Sequence, residues 1–393
     1  MSDRPPVTDW ARDFDPFEQR WLDDPYTIWN ELRERCPVAH TDRCRGVYLP
    51  TRYQDIRDVA YDPEHFSSRR LSVGDEELPL ISSPPVTSDP PDHRAHRQLL
   101  LPAFTPAEIK KLEPRTRGIC RELLDGLAGK RLIDGAADFA QEVPVRVIAS
   151  MLGVPEADGA LFRQWIHRFH QHANDVPGSL AVIDEMTAYF APFITQRRSM
   201  PGDDLISFLT KAKIDGKPLT DEHVDGTLRL LLVAGIDTTW SMIGTCLWHL
   251  ALHEEDRRRL AAEPALIPTA VEELLRAYAP ATLSREILED TEIGGCPVKA
   301  GQMVMLAFGA ANRDPAMFPE PDRVIIDRAE NRHATFGLGI HRCLGSHLAR
   351  MELNVALEEW MKTFPAFTLA PGAELAWSAG IVRGPRQVPL VMG

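Results

Sequence analysis

Cys343 stands in a glycine-framed loop, Phe336-Gly-Leu-Gly-Ile-His-Arg-Cys-Leu-Gly345. The glycines at 337, 339 and 345 permit tight turns and let the backbone approach a flat, bulky group. Apolar residues follow the cysteine at helical spacing, so we expect Cys343 at the start of a helix, where backbone N–H groups favour a thiolate. A rigidly held thiolate can act as a nucleophile or as a metal ligand. A lone cysteine at a helix start is more often inert, and the glycine pattern is what argues for chemistry.

The other cysteines lack such a setting. They form no CxxC pair and no zinc-like cluster with histidine, and they lie at positions 36, 44, 120, 246 and 296. We expect them to be unpaired thiols that pack as small apolar side chains.

Asp237 and Thr238 form a second unusual pair, inside a long apolar segment. Residues 230–236 are apolar on every face, which is typical of a helix inside a large protein or a membrane. An aspartate and two threonines follow at once, which argues against the membrane, and each buried polar group needs a partner. Two interpretations stay open from these residues alone. The threonines either hydrogen-bond to their own helix or belong to a polar site in the core.

Taken together, these residues resemble the cytochrome P450 family. The loop satisfies every position of the family's haem-binding signature, through Phe336, Gly337, Gly339, His341, Cys343, Leu344 and Gly345. The resemblance covers most of the chain and implies a mainly α fold with small β-sheets (α+β). It implies one haem domain over residues 1–393, with a long central helix over the haem. It further implies that Cys343 is the axial thiolate ligand of the iron of haem b.

The resemblance also assigns residues to oxygen activation. The segment Ala234-Gly-Ile-Asp-Thr-Thr239 matches the part of the family's central helix that delivers protons to bound O₂. It implies that Asp237 is the acid of a proton relay and that Thr238 is the hydroxyl beside the oxygen. Thr239 is the alternative hydroxyl.

Four further positions match the family's partners of the haem propionates, which need cationic or hydrogen-bonding groups. These positions are His93, Arg97, Arg285 and His341. His93 and Arg97 are spaced i, i+4, so both can face one propionate region.

Glu273 and Arg276 form an ExxR pair, which alone indicates little, because most such pairs are solvated. In the family this pair is locked to an arginine in a later irregular segment, and Arg323 is the matching candidate here. The implied role of the three residues is structural. Val324 stands where the family commonly has phenylalanine, which leaves the local packing open.

Composition excludes some classes of function. The chain has 393 residues and a formal net charge of −13, which disfavours nonspecific binding to nucleic acid or anionic lipid. No basic segment followed by an apolar run opens the chain, so no signal peptide is predicted. No run of eighteen apolar residues occurs, so no membrane span is predicted and a cytoplasmic protein is expected.

Periodicity predicts a mostly helical chain without repeats. The predicted helices span residues 106–127, 158–172, 180–198, 203–213, 221–252, 264–278 and 344–364. Short strands are predicted at residues 46–50, 284–293, 303–306, 367–369 and 387–391. Prolines and aspartates at residues 314–328 indicate an irregular meander.

The predicted function is that of a haem-thiolate monooxygenase, which inserts one atom of O₂ into a small to medium hydrophobic substrate. By family analogy the cavity is lined by residues 67–88, 162–176, 231–239, 281–283 and 381–382. Its mostly apolar side chains favour a terpenoid or an aromatic compound. Two alternatives stay open: a peroxide-driven peroxygenase and a haem-binding sensor without turnover.

Electrons are expected from a separate ferredoxin and its reductase, because the chain has no flavin-type or iron–sulfur cysteine pattern. A chain cut from a natural fusion is the alternative. Ferredoxins are usually acidic, so a basic patch on the thiolate side should dock one, with Arg342 and Arg350 as candidates.

Overall fold

The computed structural model describes residues 4–77, 79–171, 175–378 and 380–393. Helices make up most of the fold. In chain order they are α1 (Trp10–Asp13), α2 (Gln19–Asp23), α3 (Pro25–Arg35), α4 (Tyr53–Tyr61), α5 (Asp92–Leu100), α6 (Pro106–Leu127), α7 (Glu142–Leu152), α8 (Gly159–Gln171), α9 (Val176–Ser199), α10 (Leu205–Lys211), α11 (Asp221–Leu252), α12 (Glu254–Ala262), α13 (Ile267–Ala277), α14 (Phe308–Ala311) and α15 (Ser346–Thr363).

The strands are short and form small sheets. They are β1 (Val38–Thr41), β2 (Val47–Pro50), β3 (Phe66–Ser67), β4 (Leu132–Asp134), β5 (Lys213–Ile214), β6 (Lys217–Pro218), β7 (Thr282–Ile287), β8 (Thr291–Ile293), β9 (Cys296–Val298), β10 (Met303–Ala307), β11 (Phe367–Leu369) and β12 (Pro389–Met392). The largest sheet has the order β1-β2-β10-β7-β3, and a second sheet has the order β11-β12-β4. The predicted α+β class with small sheets is confirmed.

The central helix α11 is the longest helix that the structure describes, and its bounds agree with the prediction from the sequence. Thr220 caps it, since its hydroxyl accepts a hydrogen bond from the His223 N–H at 3.1 Å. Most of its residues are buried against neighbouring helices, which explains why its apolar positions do not form a single stripe.

Length and composition alone would admit a membrane span in α11, because an 18-residue window has a mean hydropathy of 1.5. No membrane span was predicted from the sequence, because it has no uninterrupted run of eighteen apolar residues. However, 67% of that window is buried inside the protein. The helix also carries Asp225, Arg229 and Asp237, which are buried with it. We therefore describe α11 as a core helix.

The predicted start of α15 is wrong by two residues, and the difference matters for Cys343. The helix begins at Ser346, not at residue 344. The Cys343 N–H bonds to the Phe336 carbonyl at 2.6 Å, which closes the loop on itself. Cys343 therefore belongs to the loop, and the helix begins three residues later. The predicted strand 284–293 is likewise two strands, β7 and β8, since residues 288–290 turn away.

Candidate active site

A cavity of about 490 Å³ lies between the middle of α11, the loop before α15 and strand β7. That volume is within the range usual for sites that bind organic molecules. Most of its lining is apolar, contributed by side chains such as Leu231, Val233, Ala281, Leu283 and Ile381. Cys343, Asp237 and Thr238 all reach this same cavity, as the sequence predicted from separate segments.

The loop that carries Cys343 is shaped by two glycines with positive φ. Gly337 has φ +72° and Gly339 has φ +67°. A Cβ atom at Gly339 would lie 2.1 Å from the Ala60 carbonyl oxygen, so no larger residue fits between this loop and α4. The loop therefore depends on glycine both for its turn and for its packing.

The Cys343 sulfur is open to the cavity although protein surrounds it. Burial raises the pKa of the Cys343 thiol above its ordinary value, and this outweighs the Gly345 N–H, which acts in the opposite direction. The expectation that a helix start favours the thiolate is therefore wrong for the protein alone. A bound metal ion would lower this pKa, because coordination deprotonates a thiol outright.

Three of the four predicted propionate partners, Arg97, Arg285 and His341, line the cavity. The fourth, His93, packs against His341 with ring centroids 4.3 Å apart. Arg97 lies on α5 and donates to the Arg342 carbonyl at 2.7 Å, which joins α5 to the Cys343 loop. Arg285 is held in β7 and donates to the Ser284 carbonyl at 2.8 Å.

This cluster has unused polar atoms that point to a missing anionic group. The Nε2 atoms of His93 and His341 are buried and have no hydrogen-bond partner among the described residues. Burial lowers the pKa of His341 to about 2, and the nearby cation Arg285 acts in the same direction. Burial also lowers the pKa of Arg285, to about 10. Neutral histidines beside two arginines, in a cavity that also contains a thiol, fit a carboxylate-bearing cofactor with a metal ion.

The middle of α11 presents Asp237 and Thr238 to the other side of the cavity. The Thr238 hydroxyl donates to the Ala234 carbonyl at 2.8 Å, so the interpretation as a back-bonded threonine is correct in geometry. Its oxygen lone pairs stay available to accept a hydrogen bond from a molecule in the cavity. Back-bonding and a role in the site are therefore compatible.

Arg386 is a residue of this site that the sequence did not indicate. Its guanidinium forms an ion pair with the buried Asp237 carboxylate, with Nη1 and Oδ1 2.9 Å apart. The same guanidinium lies over the Trp240 ring, 5.3 Å from the ring centroid. The two charged residues are 149 positions apart, so no local pattern could have linked them.

The ExxR pair is buried, with both side chains at 0% exposure. Arg276 donates two hydrogen bonds to the Glu273 carboxylate, each 2.8 Å long. The predicted third member is wrong: the side chain that reaches Glu273 is Arg328, at 3.0 Å. Arg323 contributes only its backbone carbonyl, which accepts from Arg276 at 3.0 Å, while its side chain is exposed and pairs with Glu320. The meander turns so that residue 328 faces inward.

The predicted substrate segments all reach the cavity, although residues 78 and 172–174 lie outside the described residues. The first segment contributes most, from Arg69 to Thr87. The prediction included only Val176, the first residue of α9, and missed Ser179, Ile183 and Met186, which the same helix adds. Its apolar residues are also those of an ordinary core-facing helix, so the sequence carries no signal that separates the two uses.

Comparisons with known proteins agree with this geometry. The family model of cytochrome P450 matches residues 145–375. The chain is similar to the mycinamicin IV hydroxylase/epoxidase of Micromonospora griseorubida, with 37% identity that covers 92% of this chain and 94% of that protein. It is similar to the vitamin D(3) 25-hydroxylase of Pseudonocardia autotrophica, with 35% identity that covers 98% of each.

Solved structures give the same result. The crystal structure of CYP109E1 from Bacillus megaterium in complex with testosterone superposes with a TM-score of 0.88 at 32% identity. That superposition covers 95% of this chain and 99% of the other.

Proposed function

The chain belongs to the cytochrome P450 family, as a monooxygenase that uses haem b, and from this premise we propose that it hydroxylates or epoxidises a small to medium hydrophobic compound. The observation that carries the proposal is that Cys343 and the Asp237–Thr238 pair line one apolar cavity. When bound there, the haem supplies the iron at which O₂ is activated.

We propose that Cys343 binds the haem iron from the side of α15. Arg97, Arg285, His93 and His341 would hold the propionates. The two arginines and His341 line the cavity, His93 packs against His341, and the Nε2 atoms of both histidines have no hydrogen-bond partner among the described residues. Arg97 has a second effect. Its hydrogen bond to the Arg342 carbonyl fixes the residue beside Cys343, so propionate binding and the position of the sulfur are coupled.

Asp237 and Thr238 would serve proton delivery on the opposite side. With the haem in place, the Asp237 carboxyl and the Thr238 hydroxyl could pass a proton through the apolar cavity, because an acid next to a hydroxyl provides two steps of such a path. Thr238 can accept a hydrogen bond in the cavity while it donates to its own helix. Arg386 holds the Asp237 carboxylate in place through their ion pair of 2.9 Å.

The substrate class follows from the lining of the cavity. Its apolar side chains bind hydrocarbon surface, and Thr238 and Thr239 mark the end where oxidation takes place. A terpenoid or an aromatic compound meets this description. The relatives support a hydrophobic ligand, since one is named for vitamin D(3) and one structure contains testosterone.

For the electron donor we propose an acidic ferredoxin that docks beside Cys343. Arg342 is exposed next to the cysteine and its side chain is the better candidate for contact. Arg350 is engaged with Glu272, with which it forms two hydrogen bonds of 2.6 and 2.8 Å. Arg342→Glu should therefore slow reduction by ferredoxin more than Arg350→Gln does, and equal rates would remove Arg342 from the docking surface.

We propose one haem domain over residues 1–393 and a cytoplasmic location. The domain proposal is supported by pairing between distant segments: β2 pairs with β10, and β4 pairs with β12. Arg383 also donates to backbone carbonyls at residues 22 and 23.

Reconstituted turnover tests the function. The holoenzyme is supplied with reduced nicotinamide, a ferredoxin, its reductase and isotopically labelled O₂, against a panel of hydrophobic compounds chosen by optical titration. We expect one labelled oxygen atom in the product. Product formed only with hydrogen peroxide would favour the peroxygenase, and tight ligand binding without any product would favour the sensor.

A further inference from the structure

A cluster of metal-binding side chains lies at the end of α11, away from the cavity. His249 is in the last turn of α11, His253 follows that helix, and Asp256 is in the first turn of α12. One nitrogen or oxygen atom of each lies within 4.8 Å of the others. His253 is the C-cap residue of α11, and its ring lies beside that of His249.

His249 is already arranged as a metal ligand would be. It is fully buried, and its Nε2 atom lies 2.9 Å from the Asp256 carboxylate. Its Nδ1 atom lies 2.9 Å from the Tyr278 hydroxyl. Histidine ligands generally use one nitrogen for the metal and donate the other N–H to an oxygen, which fixes the ring. Ligation requires the neutral imidazole, in which one nitrogen binds the ion and the other carries the hydrogen.

His253 completes the cluster from the solvent side. Its ring stacks on His249 with centroids 4.2 Å apart, and its side chain is exposed and free of the core. This exposed side chain can rotate towards the ion. Asp256 must also draw back slightly, because two ligand atoms of a tetrahedral zinc ion lie about 3.3 Å apart. In α12, Glu254 and Glu255 are followed by Arg257, Arg258 and Arg259, and Glu254 pairs with Arg258, so the negative charge of the cluster itself comes from Asp256.

We propose that His249, His253 and Asp256 bind one zinc-class divalent ion, with water as the fourth ligand. Two imidazoles and one carboxylate suit zinc better than calcium or magnesium, which prefer oxygen ligands. The ion takes the place of the hydrogen between His249 and Asp256, and the ring N–H moves to Nδ1, where it donates to Tyr278. No proton is released by the neutral ring. The bound ion would join α11 to α12.

The proposal can be tested on the holoenzyme with zinc alone. Equilibrium dialysis measures bound zinc per chain for the parent protein, for His253→Ala and for Asp256→Asn. His249 is left unchanged because it is buried. His65→Ala is the matched control: His65 forms a comparable pair with Asp62, at 2.7 Å, and both side chains are about two-fifths exposed.

We expect one tightly bound zinc ion in the parent and in His65→Ala, and an affinity at least about tenfold weaker in each cluster variant. Zinc should raise the thermal midpoint of the parent and not that of His253→Ala. X-ray absorption at the zinc edge should show imidazole scattering and no sulfur. Equal zinc affinity in parent and His253→Ala, a sulfur ligand, or no saturable binding below about 1 mM would each overturn the proposal.

Discussion

The cysteine side and the α11 side of the cavity are built differently. On the cysteine side, Glu273 and Arg276 are fully buried, and both oxygens of Glu273 accept at least two hydrogen bonds. On the α11 side, Thr238 bonds to its own helix and Asp237 to Arg386, and the facing segments contribute mainly apolar surface. One side is fixed by directional polar contacts, and the other is shaped by side-chain volume.

This difference has a functional consequence. A metal ligand must be held to within fractions of an ångström, and dense hydrogen bonding around it provides that rigidity. A substrate surface made of apolar side chains can change its shape by substitution without leaving a polar group unpaired. The cysteine side is thus suited to holding a metal ligand in a fixed position, and the α11 side to a substrate surface that substitutions can reshape.

The largest effect is expected from Glu273→Gln. It leaves the Arg276 guanidinium buried without its counter-charge, which should cost about 3–5 kcal/mol of folding free energy. Chemical denaturation of the holoenzyme, followed by the haem absorbance, measures this loss. Arg323→Ala is the control, because only its backbone carbonyl touches Arg276, and its stability should stay close to that of the parent. A comparable loss in Arg323→Ala would show that the cysteine side is held differently.

A smaller and more selective effect is expected from Thr238→Ala. The haem should still bind, but the fraction of reducing equivalents recovered in product should fall about tenfold or more, with hydrogen peroxide released instead. The measurement is product and peroxide formed per reduced nicotinamide. Thr239→Ala should keep normal coupling. If Thr238→Ala kept its yield of product per reduced nicotinamide and Thr239→Ala lost it, Thr239 would be the hydroxyl of the proton relay.

A gain in stability that appears only at higher pH is expected from Glu352→Gln in α15. Glu352 is fully buried, and neither carboxylate oxygen has a hydrogen-bond partner among the described residues. Burial therefore raises its pKa well above the ordinary value of 4.5. The folded protein holds this proton more tightly than the unfolded chain does, so stability is lost as the pH rises above 4.5. Because glutamine does not ionise, the stability of the Glu352→Gln variant should not fall in this way.

Thermal unfolding of parent and Glu352→Gln across pH measures that difference. The variant should match the parent near pH 4.5 and become the more stable protein as the pH increases. A constant difference at every pH would mean that the pKa of Glu352 is the same in the folded and unfolded chain, and would contradict a raised pKa.

Local sequence signals predicted much of this architecture. The bounds of α6 and α11 were predicted from their apolar residues, and the structure shows that the hydroxyls of Thr105 and Thr220 cap these helices. The glycine loop around Cys343 was predictable because positive φ restricts the residue type. These features depend on residues close together in the chain.

Features that depend on distant segments were not predictable. The choice of Arg328 over Arg323 is set by how residues 314–328 turn, and no periodic pattern records that path. The Asp237–Arg386 pair joins α11 to the last segment of the chain. The residues of α9 that line the cavity have the sequence pattern of an ordinary helix face that packs in the core. In each case the missing information is three-dimensional packing.

The most direct test of the account is the spectrum of Cys343→His in its reduced, carbon monoxide-bound form. A thiolate beneath the iron gives the red-shifted band for which the family is named, and an imidazole does not. We expect the variant to bind haem and lose this band, while Cys296→Ser, which changes a partly exposed cysteine of β9, keeps it. Persistence of the band in Cys343→His would contradict the assignment of Cys343 as the ligand.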